Sequence, residues 1–211
     1  MKYVLLSKLM SGELGILRFF PEKERVEFRP GQFVLLKDLE TGLFRPYSIA
    51  SPPEFEYIEL FIHFIKGKMT SLLEEADVGK VFDISKGMGK FIYEGESKAV
   101  FIGGGAGIAP LLSIMRHIEL NNVKGSFKAF LSFRNANMPY LSELKMIRNV
   151  DVSITFTRQE VKGFKHGRFA PEDVYLGSDY TYFLCGSKGF VDSFKGYIEE
   201  KGGKVKAEGW G

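Results

Sequence analysis

Three short stretches of this 211-residue sequence carry residue types suited to gripping phosphate and moving charge. The first is GLFRPYSIASPP, Gly42 to Pro53. Arg45 keeps its charge at any working pH, and its planar fork suits phosphate or carboxylate. Tyr47 and Ser48 each add a hydroxyl, and Tyr47 adds a flat apolar face. Pro46 lacks the N–H that a central strand needs, so the segment reads as an edge strand or an opening in a sheet. Taken alone, Arg45 fits an edge arginine in solvent equally well. The second stretch is FIGGGAGIAPLLS. An apolar run enters Gly103, Gly104, Gly105, Ala106 and Gly107, and a helical pattern follows. Pro110 falls in its first turn, where a missing N–H costs little. Strand, glycine turn and helix have the form of a dinucleotide phosphate site, because glycines admit the pyrophosphate and the helix N-terminus favours negative charge. The spacing is not strict G-x-G-x-x-G, and a structural strand–helix turn is the competing reading. The third is IKGKMTSLL, where Gly67, Lys68, Met69, Thr70 and Ser71 bring amides and hydroxyls to a helix start. Either an anion site or an ordinary helix capped by Thr70 or Ser71 fits that pattern.

Two kinds of element must hold these stretches. Over residues 1–95 the apolar runs are short or alternating: GILRFFP, GQFVLLKDL, RPYSIA, YIELFIHFI and VFDIS, separated by Gly- and Pro-containing turns. Many short strands without long helices predict a β barrel or sandwich, of which the barrel is taken. Over residues 96–211 the period changes. AVFIGGG, FKAFLSFR, VSITFTR, YTYFLCG and KVKAEGW read as strands. GIAPLLSIMRHIELNN, YLSELKMIR and KGFVDSFKGYIEEKG read as the helices between them. That alternation predicts a parallel sheet with helices on both faces. The boundary falls near YEGESK, Tyr93 to Lys98.

The totals narrow the classes. Hydrophobic residues make up 45% of the chain and charged ones 26%, enough apolar surface for a real core. A net charge of +3 without a Lys/Arg run argues against nucleic acid. The single cysteine, Cys185, excludes an internal disulfide and an all-protein iron–sulfur cluster. His63, His117 and His166 lack metal-ligand spacing, so no metal site is expected. No signal peptide and no apolar run long enough for a membrane span is read, which predicts a cytoplasmic protein without a membrane partner.

In order along the chain, RPYS, GKMTS, GGGAGIAP, FLCGS and a C-terminal EGW resemble the ferredoxin–NAD(P) reductase superfamily, in its short form without an attached iron–sulfur or globin domain. The resemblance implies an N-terminal antiparallel Greek-key β-barrel binding FAD over 1–95. A Rossmann-like parallel-sheet NAD(P) domain over 96–211 would follow. It implies that Arg45, with Pro46 opening the barrel beside it, meets the flavin pyrophosphate. Tyr47 would pack against the flavin, and Ser48 would lie near the reactive ring nitrogen. The turn of Gly67, Lys68, Met69, Thr70 and Ser71 would add amides and hydroxyls to the pyrophosphate. Gly104, Gly105, Ala106, Gly107 and Pro110 match the family's pyridine-nucleotide turn, and Cys185 with Gly186 its cysteine–glycine pair. Glu208 would assist proton transfer and Trp210 would cover the flavin ring. The tryptophan and the following Gly211 depart from the family pattern, and a frayed tail is the other reading of this end.

The implied activity is hydride transfer from NAD(P)H to FAD, then single electrons to an acceptor such as ferredoxin or flavodoxin, or the reverse. Alternatives are a flavin subunit of a larger redox complex (hydrogenase, sulfur reductase or oxygenase system) and a non-catalytic nucleotide-binding protein. Lys66, Lys68, Lys86 and Lys90 read either as a rim for an acidic acceptor or as solvated surface. No acidic residue follows FKAFLSF until Glu143, and Arg134, Thr157 and Arg158 resemble the family's grip on a 2′-phosphate. NADP(H) is therefore favoured over NAD(H).

Overall fold

Six antiparallel strands form the first sheet of the computed structural model, which describes residues 1–210, the Trp210 side chain excepted. They are β1 (Lys2–Ser11), β2 (Leu14–Pro21), β3 (Phe33–Asp38), β4 (Phe44–Ser48), β5 (Ile58–His63) and β6 (Val81–Ile84). Their spatial order is β4-β3-β6-β1-β2-β5. A bridge between Ile49 and Leu60 joins the two ends and closes the barrel. Closure removes the exposed edge that Pro46 would otherwise leave, since Pro46 lies opposite Leu35 on one side only. β1 went unread in the sequence. Its register shifts between Leu5 and Ser7, so the alternation that marks a strand is broken midway.

β5 is buried along nearly its whole length because it is covered twice. Ile58, Leu60 and Ile62 belong to the barrel core, while Phe61 packs into the core of the second half. Behind it the chain enters α1 (Lys68–Glu75), which starts earlier than the hydroxyls of Thr70 and Ser71 suggested. Gly67 is the N-cap. The Gly67 N–H donates to Thr70 Oγ1 at 2.9 Å, and the Ser71 N–H makes a helical bond to Gly67 O at 2.8 Å. Thr70 thus seals the first turn from inside it, and the extended Gly67 does the capping.

The second sheet is wholly parallel: β7 (Lys98–Gly104), β8 (Ser126–Phe133), β9 (Asp151–Phe156), β10 (Lys165–His166), β11 (Thr181–Ser187) and β12 (Lys204–Trp210). Its order is β10-β9-β8-β7-β11-β12. α2 (Ile108–Leu120) and α3 (Leu141–Met146) bury their apolar sides on one face with Phe101, Ala129, Leu131 and Phe183. α4 (Pro171–Val174) and α5 (Lys188–Glu200) cover the other face, over Val100, Ile102, Tyr182 and Leu184. β10 and α4 are too short to leave a periodic signal, which is why the sequence reading lacks them. Among the described residues no helix is long and apolar enough to cross a membrane.

Lys206 of β12 fixes the segment between the halves. Its ammonium donates to Ile92 O and Glu94 Oε2, both at 2.8 Å, and to Glu96 Oε1 at 2.5 Å.

Candidate functional site

The strand order reverses between β7 and β11, whose following helices leave to opposite faces. In open parallel sheets the crevice outside the strand ends at such a point is where ligands bind. A cleft of about 1410 Å³ opens there and runs between the two sheets. The glycine turn forms its floor. Gly105 has φ +54°, which an L side chain tolerates poorly, and a side chain on Gly104 would collide with Ser132 O. A Cβ on Gly107 would lie 2.7 Å from Cys185 O. The turn is therefore pressed against β8 and β11, with space free above Gly105. Gly104, Gly105, Ala106 and Gly107 line the cleft, while Pro110 is buried behind them in the first turn of α2.

The opposite wall comes from the barrel. Arg45, Pro46, Tyr47 and Ser48 of β4 line it, and so do Gly67, Lys68, Met69 and Thr70 at the start of α1. Ser71 does not, because it sits one position into the turn behind them. Arg45 is exposed, and among the described residues its guanidinium donates only to the neighbouring Phe44 O, at 2.8 Å. That leaves most of its donors free for an anion. Burial pushes the Tyr47 phenol up to about 12, so it stays a neutral donor at any working pH. The far end of the cleft holds Arg134, Thr157 and Arg158, at the ends of β8 and β9. The Arg158 N–H donates to Arg134 O at 2.9 Å, locking the two turns together.

Gly186 lines the cleft, but the Cys185 side chain points into the core and is fully buried. Cys185 and Glu208 are register partners on β11 and β12. Burial, then the Glu208 charge, holds the thiol well above its ordinary value. The Glu208 carboxyl does not line the cleft either. Its Oε2 is buried and has no hydrogen-bond partner among the described residues, and burial raises its pKa to about 7. The Trp210 side chain and Gly211 lie outside the described residues, and with them the ring-covering role expected of that end.

One part of the architecture behind the cleft was not read from the sequence. Glu59, fully buried in β5, accepts from Arg18 Nε at 2.7 Å, Arg116 at 2.6 Å and Tyr140 Oη at 2.8 Å. Arg116 also donates twice to Glu143, at 2.6 and 2.7 Å, and once to Ala50 O at 2.9 Å. Ser113 Oγ donates to Ser51 O at 2.7 Å. Burial pushes the Glu59 carboxyl up, but Arg116 and Arg18 outweigh it and hold the group below its ordinary value. α2 thus carries the glycine turn at its N-terminus and, two turns on, grips the chain leaving β4. The signals were a carboxylate inside the apolar run YIELFIHF and an arginine on the apolar side of α2.

The lining of the cleft fits a flavin and a dinucleotide: an exposed arginine beside the start of α1, and a glycine floor that a side chain would fill. Together, barrel, parallel sheet and shared cleft define a two-unit fold with one cleft between the units. A ferredoxin NADP+ reductase from Neisseria gonorrhoeae, solved with FAD and NADP, superposes with a TM-score of 0.88 over 99% of this chain and 98% of its own, at 20% identity. Residues 4–93 match the oxidoreductase FAD-binding domain family. The electron transfer subunit of dihydroorotate dehydrogenase B from Clostridium acetobutylicum is 31% identical over 169 residues, 77% of this chain and 63% of that protein. The reductase component of propane 2-monooxygenase from Rhodococcus jostii is 38% identical over 118 residues, 52% of this chain and 31% of that protein. The match thus spans less than two thirds of either relative's own length. Residues 4–93 thus carry the sequence pattern of an oxidoreductase FAD-binding domain, and the whole chain shares its two-unit fold with the Neisseria gonorrhoeae reductase.

Proposed function

We propose that the chain binds FAD in a unit spanning 1–95 and NAD(P)H in a unit spanning 96–211, and relays reducing equivalents between nucleotide and an acceptor protein. The observation that carries this reading is the single cleft that joins the RPYS strand, the start of α1 and the glycine turn. A flavin held there would supply hydride acceptance and single-electron release. The chain supplies binding and orientation. Arg45 and the Gly67–Thr70 amides meet a pyrophosphate, and Tyr47 offers its neutral hydroxyl and face. Ser48 donates near the reacting ring, and the glycine turn brings the second nucleotide alongside. Glu208 holds a proton close to neutrality behind Gly186. Arg134 and Arg158, with Thr157 between the same strands, favour NADP(H) over NAD(H).

The acceptor is a ferredoxin or flavodoxin in the cytoplasm, where nicotinamide nucleotides are turned over. A second reading has specific support: an electron-transfer subunit of a larger redox complex, as the Clostridium acetobutylicum relative's name describes. Size measurement of the native protein from its own cells separates the two, since a complex elutes far above the chain's 23.8 kDa. The test of the flavin site is stoichiometry. The purified protein is expected to hold one FAD, and R45A to lose it on gel filtration, because the pyrophosphate loses a forked, charged partner. Equal retention in R45A would sink that assignment.

A further inference from the structure

The barrel contributes a carboxylate to the far end of the cleft that no reading of the second half alone contains. β1 and β2 are joined by the Gly12–Glu13 turn, and both residues line the cleft together with Arg134 and Arg158. Glu13 is held from three sides. Its carbonyl accepts from the Phe64 N–H at 2.7 Å, and its carboxylate meets His63 Nε2 at 3.1 Å and Arg134 at 3.8 Å. Beside it, Ser11 Oγ donates to Asn137 O at 3.0 Å, so the tip of the turn touches the loop that follows β8. The bond to His63 comes first and the charges of Arg134 and Arg158 come later among the influences that lower the Glu13 pKa.

The two arginines that would receive a 2′-phosphate therefore already face a negative charge. We propose that Glu13 is the specificity-determining residue for the nucleotide 2′ position: it occupies the arginines when no 2′-phosphate is present, and opposes one when it arrives. This rests on the reading of the cleft as a nicotinamide-nucleotide site. A 2′-phosphate must displace Glu13 from Arg134 and then sit near a like charge. A 2′-hydroxyl meets no such opposition and can donate to the carboxylate. In parallel-sheet nucleotide sites the acidic reader normally follows the second strand of the same unit. Here it comes from the other unit, across the cleft, so the preference for NADP(H) produced by Arg134 and Arg158 is held to a small ratio.

The test uses the purified flavoprotein and E13Q, titrated with 2′,5′-ADP and with 5′-AMP by calorimetry. Glu13 is 72% exposed, so the substitution leaves the fold intact, and an unchanged flavin spectrum checks this. E13Q is expected to bind 2′,5′-ADP about 10-fold more tightly at low salt, with 5′-AMP affinity unchanged and the gain shrinking as salt is raised. The ratio of kcat/KM for NADPH over NADH rises in parallel. Equal 2′,5′-ADP affinity in the two proteins overturns the role of Glu13 and leaves the nucleotide reading standing. Binding of neither compound to either protein overturns both.

Discussion

Glu208 is the residue whose chemistry is set most directly by its surroundings. Its pKa is raised from the ordinary 4.5 to about 7 by burial alone. Below 4.5 the group is protonated in both folded and unfolded chains, so burial costs nothing extra. As pH rises from 4.5 towards 7 the unfolded chain ionises first, and stability falls across that window. E208Q should be insensitive there and should exceed the wild type at pH 8 by up to about 3 kcal/mol, read from denaturant midpoints. Parallel pH curves for the two proteins would show that Glu208 is solvated. The same substitution should remove an ionisation near neutrality from the pH profile of kcat, if the proton held there is used in turnover.

Among the elements, the loop from β7 into α2 depends most on its sequence. Gly107 packs with no room for a Cβ because Cys185 O lies 2.7 Å from where it would stand. G107A must push β11 away from β7 or twist the turn, a cost of about 1–3 kcal/mol typical of overpacking. Nucleotide affinity should fall while flavin binding, proposed for the barrel, persists; calorimetry with NADP+ and a flavin spectrum measure the two separately. α1 is stabilised at its other end by Lys8, whose ammonium donates to Glu74 O at 2.6 Å and Ala76 O at 2.9 Å. A cation at a helix C-terminus contributes roughly 0.3–1 kcal/mol. K8M should therefore loosen the helix whose start faces the cleft, and hydrogen exchange at Leu72 and Leu73 would register it.

At the scale of the molecule, the halves are joined by the Glu59–Arg116 cluster and a shared apolar core. R116M leaves the Glu59 charge buried with fewer partners and should destabilise by about 3–5 kcal/mol. The double variant E59L/R116M should be milder, since no buried charge is stranded; additive losses in equilibrium unfolding would contradict the coupling. How far this was legible in the sequence follows from the same contrast. RPYS, GKMTS and GGGAGIAP are runs of adjacent residues, so their local form could be read in place, and residues of all three line one cleft. Glu59 and Arg116 lie 57 positions apart and acquire meaning only when β5 meets α2. Glu13 is a turn residue until folding sets it opposite Arg134. β1 was hidden by its bulge, and the start of α1 was misplaced because a glycine caps it without a side chain.

The central claim is that one cleft holds a flavin and a nicotinamide nucleotide close enough for transfer between them. Anaerobic titration of the FAD-loaded protein with NADPH, followed through the flavin's visible absorption band, tests it most directly. The account predicts stoichiometric bleaching of the band, and its recovery when an electron acceptor is added. A flavin that binds but stays oxidised with both NADPH and NADH in excess would contradict it.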